Sequence, residues 1–137
     1  MNTPDFATFA AITELKSRYC RLVDKKLWDE WRKCLTDDAS GSFGSTELSS
    51  GSGDAIVAMI KAHLTGKTTV HHCLNPEITQ TGPDTAAAIW GVHGLIISAE
   101  TRGEGFAWYH ETYRREKGIW KIATLRVESL TGFAVPL

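Results

Sequence analysis

Apolar residues recur at helical spacing through the first part of the chain and at strand-like spacing through its second half. Phe9, Ile12, Leu15, Tyr19 and Leu22 stand three or four apart, the single apolar stripe of an amphipathic helix. Thr3-Pro4-Asp5 reads as its start, a capping hydroxyl followed by proline at the first helical position. A short second helix is predicted from Leu27 to Leu35, with Leu27, Trp28, Trp31 and Leu35 on its inner side. Residues 36–54 are rich in Ser and Gly, in Ser40-Gly41-Ser42-Phe43-Gly44-Ser45 and Ser49-Ser50-Gly51-Ser52-Gly53. They read as a weak strand followed by a mobile loop. Asp54 is the expected cap of a third helix, Ala55 to Leu64, which Gly66 ends. Ile56, Met59, Ile60 and Leu64 form its buried stripe.

From Thr68 the pattern predicts strands. His71–Thr81 is followed by a Gly82-Pro83-Asp84 turn, then by the long apolar run Thr85–Ser98. Arg102-Gly103-Glu104-Gly105 is read as the next turn. Phe106–Arg115 alternates, with Tyr109, Glu111 and Tyr113 on one face, and after Glu116-Lys117-Gly118 the strand Ile119–Leu130 finishes the pattern. Helices followed by a four-strand meander define an α+β layout. The expected architecture is three N-terminal helices packed in the concave face of a curved, mostly antiparallel sheet, a cone-shaped α+β barrel with an open mouth.

Composition narrows this picture. At 137 residues the chain is expected to be one domain over residues 1–137, with a core and one pocket. Its net charge of −1, without acidic or basic blocks, points away from nucleic acid and anionic membranes as partners. Cys20, Cys34 and Cys73 are odd in number and form no C-x-x-C, so they read as reduced thiols of a cytoplasmic protein. The first residues lack a basic and apolar leader, and no membrane span is predicted.

The candidate chemistry lies in proton-moving side chains. Tyr19 and Asp24 close the first helix, and His71-His72 opens a strand. Tyr19 and Asp24 are five residues apart, roughly 140° around a continuous helix, so both face one pocket only if the helix ends between them. Asp24 also fits as the N-cap of the second helix, and spacing leaves both readings open. Taken alone, Tyr19 reads first as a core aromatic with its hydroxyl at a rim. Only one of His71 and His72 can face inward from a strand. An inward histidine beside a carboxylate is held in one tautomer and poised as a base near neutral pH. His93 lies among Ile89, Trp90, Val92 and Leu95, and a bulge would reverse its face. His63 reads as solvated and His110 as facing out. The five histidines show neither H-x-x-x-H nor H-x-H spacing, so no metal site is assigned. Gly66-Lys67-Thr68 lacks the earlier glycine of a phosphate loop, because position 61 is Lys61.

These residues, in this order, resemble the nuclear transport factor 2-like superfamily, in its SnoaL-like branch near scytalone dehydratase. The resemblance runs over about residues 8–130. It rests on Tyr19-Cys20-Arg21-Leu22-Val23-Asp24, Leu35-Thr36-Asp37-Asp38-Ala39, Val70-His71-His72 with Asn75-Pro76, Asp84-Thr85-Ala86, Tyr109-His110-Glu111-Thr112-Tyr113 and Gly118-Ile119-Trp120-Lys121-Ile122. The resemblance implies that Tyr19, Asp24 and His71 act together on a small, mostly apolar substrate in the cone. Asp24 would orient His71, His71 would move a proton next to a carbonyl, and Tyr19 with Tyr109 would hydrogen-bond the developing oxyanion. Dehydratase-like relatives add a second histidine or a carboxylate on the third strand. Ungapped, that place holds Gly94 and Ile96, and His93 reaches it only by a register shift. Where the dehydratase has an amide, this chain has Tyr109.

The expected function is a dehydratase- or isomerase-like enzyme, working without a cofactor on a cyclic or polyketide-like hydroxy-ketone. Tyr109, His93, Trp28, Trp90, Phe43 and Met59 are the expected pocket residues. The alternatives are a non-catalytic module that binds a hydrophobic metabolite and a structural partner of the dioxygenase small-subunit type. Apolar residues on the outer sheet face predict a homodimer.

Overall fold

The computed structural model describes residues 2–44, 46–48 and 51–137. Its order is α1 (Phe6–Asp24), α2 (Trp28–Arg32), β1 (Leu35–Phe43), β2 (Thr46–Leu48), α3 (Gly53–Leu64), β3 (Thr68–Gly82), β4 (Thr85–Ile97), β5 (Thr101–Glu116) and β6 (Ile119–Pro136). Ser45, Ser49 and Ser50, part of the segment expected to be a mobile loop, lie outside the described residues.

The strands form one six-stranded sheet in the order β2-β1-β6-β5-β4-β3. β3 to β6 make the expected antiparallel meander, while β1 runs parallel to β6 and antiparallel to β2. Register shifts fall between Leu74 and Glu77 on β3 and, in the β5–β6 pair, at Leu130 and Ala123, the unpaired extra residues of β6. Such bulges bend a strand and increase its twist, and the helices pack into the resulting concave face. The α+β cone expected from the sequence is the fold observed.

Several boundaries move, each for a local reason. The cap of α1 is Asp5 rather than Thr3, because its carboxylate accepts the Thr8 N–H at 2.7 Å. Ser52, not Asp54, caps α3 by accepting from the Ala55 N–H at 3.1 Å. α2 is shorter than its apolar stripe, since Leu35 opens β1 and pairs with Ile122. Arg102–Gly105 is no turn. These residues pair with Gly94–Ile97, and the chain reverses at Ser98–Thr101, where the Ser98 hydroxyl accepts the Glu100 and Thr101 N–H groups. The β5–β6 turn is the one expected: Lys117 and Gly118 both have positive φ, the backbone of a tight hairpin.

Ile12, Leu15, Tyr19 and Val23 of α1, Trp31, Leu35 and Ile56 pack against Ala86, Ala88, Trp90, Tyr113, Trp120 and Ile122 from the sheet. Within this apolar core sits an ion pair. The Lys16 ammonium donates to the Glu111 carboxylate, and both side chains are at most 1% exposed. Glu111 also accepts from the Tyr113 hydroxyl, which in turn accepts from the Trp90 indole N–H at 2.9 Å. Burial works against the Lys16 charge, but the Glu111 carboxylate outweighs it and holds the ammonium above its ordinary value. Removing one member of such a pair leaves an uncompensated buried charge, which costs roughly 3–5 kcal/mol. Lys16→Met is therefore expected to lower unfolding stability by about that amount, and the double variant Lys16→Met/Glu111→Gln to recover at least half of the loss. Denaturant unfolding checks both. A single variant as stable as wild type would show that the pair is not held as described.

Candidate functional site

α1 stops where the site begins. Lys26 takes a left-handed conformation with φ 58°. The Leu27 N–H reaches back to the Leu22 carbonyl at 3.0 Å and the Lys26 N–H to the Val23 carbonyl at 3.1 Å, the bonding of a Schellman helix end. Asp24 is the last helical residue, and its carboxylate turns toward β3 rather than capping α2, whose N-cap Leu27 makes no side-chain bond.

The Asp24 carboxylate gathers three donors from β3. Oδ1 lies 2.7 Å from His71 Nδ1 and 2.9 Å from the Thr69 hydroxyl, and Oδ2 accepts the His71 main-chain N–H at 2.8 Å. Lys26 Nζ donates to Thr69 Oγ1 at 2.6 Å, extending the chain of hydrogen bonds outward. Partial burial raises the Asp24 pKa, but the hydrogen bonds from the His71 ring and main chain and from Thr69 outweigh it. The carboxyl lies below its ordinary value and is an anion at neutral pH. An anionic carboxylate on Nδ1 fixes the tautomer with its proton there and leaves the Nε2 lone pair free.

His71 borders three hollows: one of about 280 Å³ that it shares with Val92, Gly94, Ile96 and Tyr109, and two others between which it lies. On one side is a cavity of about 160 Å³ lined by Tyr19, Val23, Phe43, Met59, Ile60, His63, Leu64, His71 and Tyr109. On the other is a groove between α1 and β3, bordered by Asp24, Cys20, Cys73 and Trp90. α1 therefore does not have to end between Tyr19 and Asp24. The two residues flank His71 from opposite sides, Tyr19 within the cavity and Asp24 within the groove.

Neither the Tyr19 nor the Tyr109 hydroxyl has a hydrogen-bond partner among the described residues. Burial, with the negative groups around them, pushes both phenols above their ordinary values, so each stays a neutral donor. The Lys16 ammonium lies 3.8 Å from the centre of the Tyr19 ring and 4.7 Å from that of Tyr109. Cation–π contact on both rings ties the two phenols to the buried ion pair.

The structure brings together Tyr19, Asp24, His71, Tyr109, Phe43 and Met59. It places the other expected pocket residues elsewhere. The β3–β4 register runs without a break from Thr68 to Leu74, setting His71 opposite Gly94 and His72 opposite His93. His93 is thus on the outer face, its ring stacked on Phe106 with centroids 4.7 Å apart. No bulge turns it inward, and Gly94 and Ile96 stand at the inner positions. Trp28 packs edge-on against Trp31 with centroids 6.0 Å apart, away from the cavity. Trp90 faces inward but serves the Tyr113–Glu111 chain and the groove. His63, expected to be solvated, is exposed yet stands at the cavity's edge. Lys16 and Glu111 were missed as site-forming residues. Their signal was present, since Lys16 completes the spacing Ile12, Lys16, Tyr19, Val23, and Glu111 shares a face with Tyr109 and Tyr113. Among the described residues no three His, Cys, Asp or Glu converge as a metal site, and no helix is long and apolar enough to cross a membrane.

The chain belongs to the SnoaL-like domain family, whose model matches residues 5–126. A probable cyclase, FGR4, of Gibberella zeae is 29% identical over 135 residues, covering 88% of this chain and 90% of that protein. A crystal structure of a protein put forward as a scytalone dehydratase, from Novosphingobium aromaticivorans, superposes with a TM-score of 0.87 at 17% identity, over 94% of this chain and 88% of that one. A hexachlorocyclohexane dehydrochlorinase, LinA type 2, gives 0.81 at 23% identity, over 96% and 89%. At these identities the superpositions establish the fold.

The depressed Asp24 pKa carries a stability consequence. A carboxyl whose folded pKa lies below its unfolded value adds stability that is complete well above the unfolded value and is lost as pH falls through the folded one. The stability advantage of wild type over Asp24→Asn is therefore expected to shrink as pH is lowered from about 5 through the ordinary value of 3.8 and below. Urea unfolding of both proteins across that range measures it. An advantage that grows on acidification would contradict the carboxylate's hydrogen bonds to β3.

Proposed function

We propose that the protein is an acid–base enzyme that converts a small, mostly apolar molecule by proton transfer at His71, in the manner of a dehydratase or isomerase acting on a cyclic hydroxy-ketone. The observation that carries this reading is the 2.7 Å contact between His71 Nδ1 and Asp24, with the imidazole edge opening onto a cavity that holds two neutral phenols.

His71 Nε2 takes a proton from the carbon beside the substrate carbonyl. The C–H electrons move into a new carbon–carbon double bond, and the carbonyl π electrons move onto oxygen. The Asp24 carboxylate stabilises the imidazolium that forms. Tyr19 and Tyr109 donate hydrogen bonds to the enolate oxygen, where preorganised donors stabilise developing charge. Collapse of the enolate then expels the β-hydroxyl, which takes the proton from His71 and leaves as water. If the proton returns to a different carbon instead, the same groups shift a double bond. The apolar wall of Val23, Phe43, Met59 and Ile60 selects a hydrophobic substrate and excludes water from the enolate. The relatives' names agree with this class of chemistry: loss of water and loss of hydrogen chloride each require a base to take a proton.

A general base supplies about 10²–10⁴-fold. His71→Ala and Asp24→Asn are each expected to lose about that factor in kcat/KM while remaining folded, and Tyr19→Phe to lose about 10²-fold. The assay follows conjugated-enone absorbance with cyclic β-hydroxy-ketones, and deuterium exchange next to the carbonyl by NMR. Turnover at the wild-type rate in both dyad variants would sink the proposal. Ligand binding without turnover or exchange in wild type would favour a binding module.

The partner expected beside the small molecule is a second copy. Leu74, Phe106 and Trp108 are 53%, 37% and 39% exposed on the outer sheet face, and pairing there would cover them. Sedimentation at micromolar concentration is expected to give twice the mass of 15.1 kDa.

A further inference from the structure

Behind the dyad, the groove between α1 and β3 holds two cysteines that the proposed reaction does not use. The sulfurs of Cys20 and Cys73 lie 3.4 Å apart, although the residues are 53 positions apart in sequence. Cys20 is buried on α1, one helical turn before Asp24, and Cys73 is half-buried on β3, two residues after His71 on the same strand face. We propose that Cys20 and Cys73 form a reversible oxidation site, closing to an intramolecular disulfide that ties α1 to β3 directly behind Asp24 and His71.

The geometry needs little movement. A disulfide bond is about 2.05 Å long, so the sulfurs must approach by roughly 1.4 Å. Both thiols border a groove of about 390 Å³, large enough to admit a small hydroperoxide. The third cysteine, Cys34, is 1% exposed in the core and serves as an internal control. Electrostatics single out the first thiol to react. The hydrogen bond shared with Cys73 holds the Cys20 thiol below its ordinary value, against the opposing effect of burial and with help from the Lys16 ammonium. Thiolates, not thiols, react with peroxides.

The oxidant is a hydroperoxide. The Cys20 thiolate attacks its terminal oxygen and the O–O bond breaks. The leaving alkoxide or hydroxide takes a proton, and Cys20 becomes a sulfenic acid. Cys73 sulfur then attacks the Cys20 sulfur, its thiol proton goes to the departing hydroxide, and water leaves. Two thiols have lost two electrons and two protons, and one peroxide is reduced to water and its alcohol, or to two waters for hydrogen peroxide. Because Cys20 shares a helix face with Asp24 and Cys73 a strand face with His71, drawing the sulfurs together narrows the groove and displaces the carboxylate from its place on the imidazole. That functional consequence rests on the acid–base reading above.

The experiment treats the reduced full-length protein with hydrogen peroxide. The expected result is an intact mass lower by about 2 Da, the two lost hydrogens, and a fall in titratable thiols from the three cysteines present to Cys34 alone. A Tm raised by roughly 5–10 °C and turnover lowered at least about fivefold should accompany it, both reversed by dithiothreitol. Cys73→Ser should form no bridge, gain oxygen instead, and show no rise in Tm. Persistence of all three thiols, oxygen adducts on wild type without a bridge, or disulfide-linked dimers would overturn the site. A bridge that forms while turnover stays constant would overturn its coupling to the dyad. Absence of turnover in the reduced wild type would instead overturn the acid–base reading, and the mass and thiol counts would still report on the bridge.

Discussion

The buried pair of Lys16 and Glu111 is the contact on which the arrangement of this molecule depends. An ammonium and a carboxylate taken out of water must meet each other and find further hydrogen bonds, or the fold loses several kcal/mol. That requirement sets where α1 rests along the sheet, because Lys16 can satisfy it only opposite one residue of β5. Once α1 is registered there, Tyr19 lies one turn further on, beside the same ammonium, and Tyr109 lies two residues from Glu111 on the same face. Asp24 then ends the helix over Thr69 and His71. Packing of Leu15 and Ile12 into apolar neighbours would tolerate some sliding of the helix. The ion pair does not, and it thereby converts a greasy helix–sheet contact into a defined spacing of phenols, imidazole and carboxylate.

Asp24 has two kinds of work in one carboxylate. Oδ1 bears on the imidazole, while Oδ2 accepts the main-chain N–H of His71 on an edge strand of the sheet. Unpaired edge groups invite pairing with other chains, and charged side chains are one means by which proteins blunt them. The residue that orients the base thus also satisfies the strand that carries it. Structural and chemical effects of replacing Asp24 are entangled for this reason, whereas those of replacing His71 are not.

Much of this was legible along the chain, and the exceptions have physical causes. The stripe from Ile12 to Leu22 and the alternation of Tyr109, Glu111 and Tyr113 gave the helix and the inner strand face directly, because period and burial agree there. The glycines of Arg102–Gly105 mimic a reversal, yet an extended strand accepts glycine wherever backbone hydrogen bonds hold it. His93 would join the pocket only through a register shift or bulge, and alternation on an unbulged strand sends it outward. Trp28 shows the limit of an amphipathic stripe, which marks the side facing the core without saying whether core or cavity lies beyond. Neither the convergence of Lys16 on Glu111 nor that of Cys20 on Cys73 was readable, since each joins a helix to a strand across a distance that only the sheet's curvature decides.

The sheet closes its first strand against its last: β1 lies beside β6, and Lys16 finds its partner 95 residues further along the chain. Contacts so distant in sequence impose a large loop-closure cost before they return anything, and such topologies assemble slowly. On a ribosome, α1 emerges long before the strands that neutralise its buried ammonium, and it waits with its apolar face uncovered. The cavity's lining runs from Tyr19 on α1 to Tyr109 on β5, so the cavity cannot form before β5 is made. A chamber assembled from segments so far apart in sequence leaves apolar surface uncovered in the nascent chain until β5 has been made.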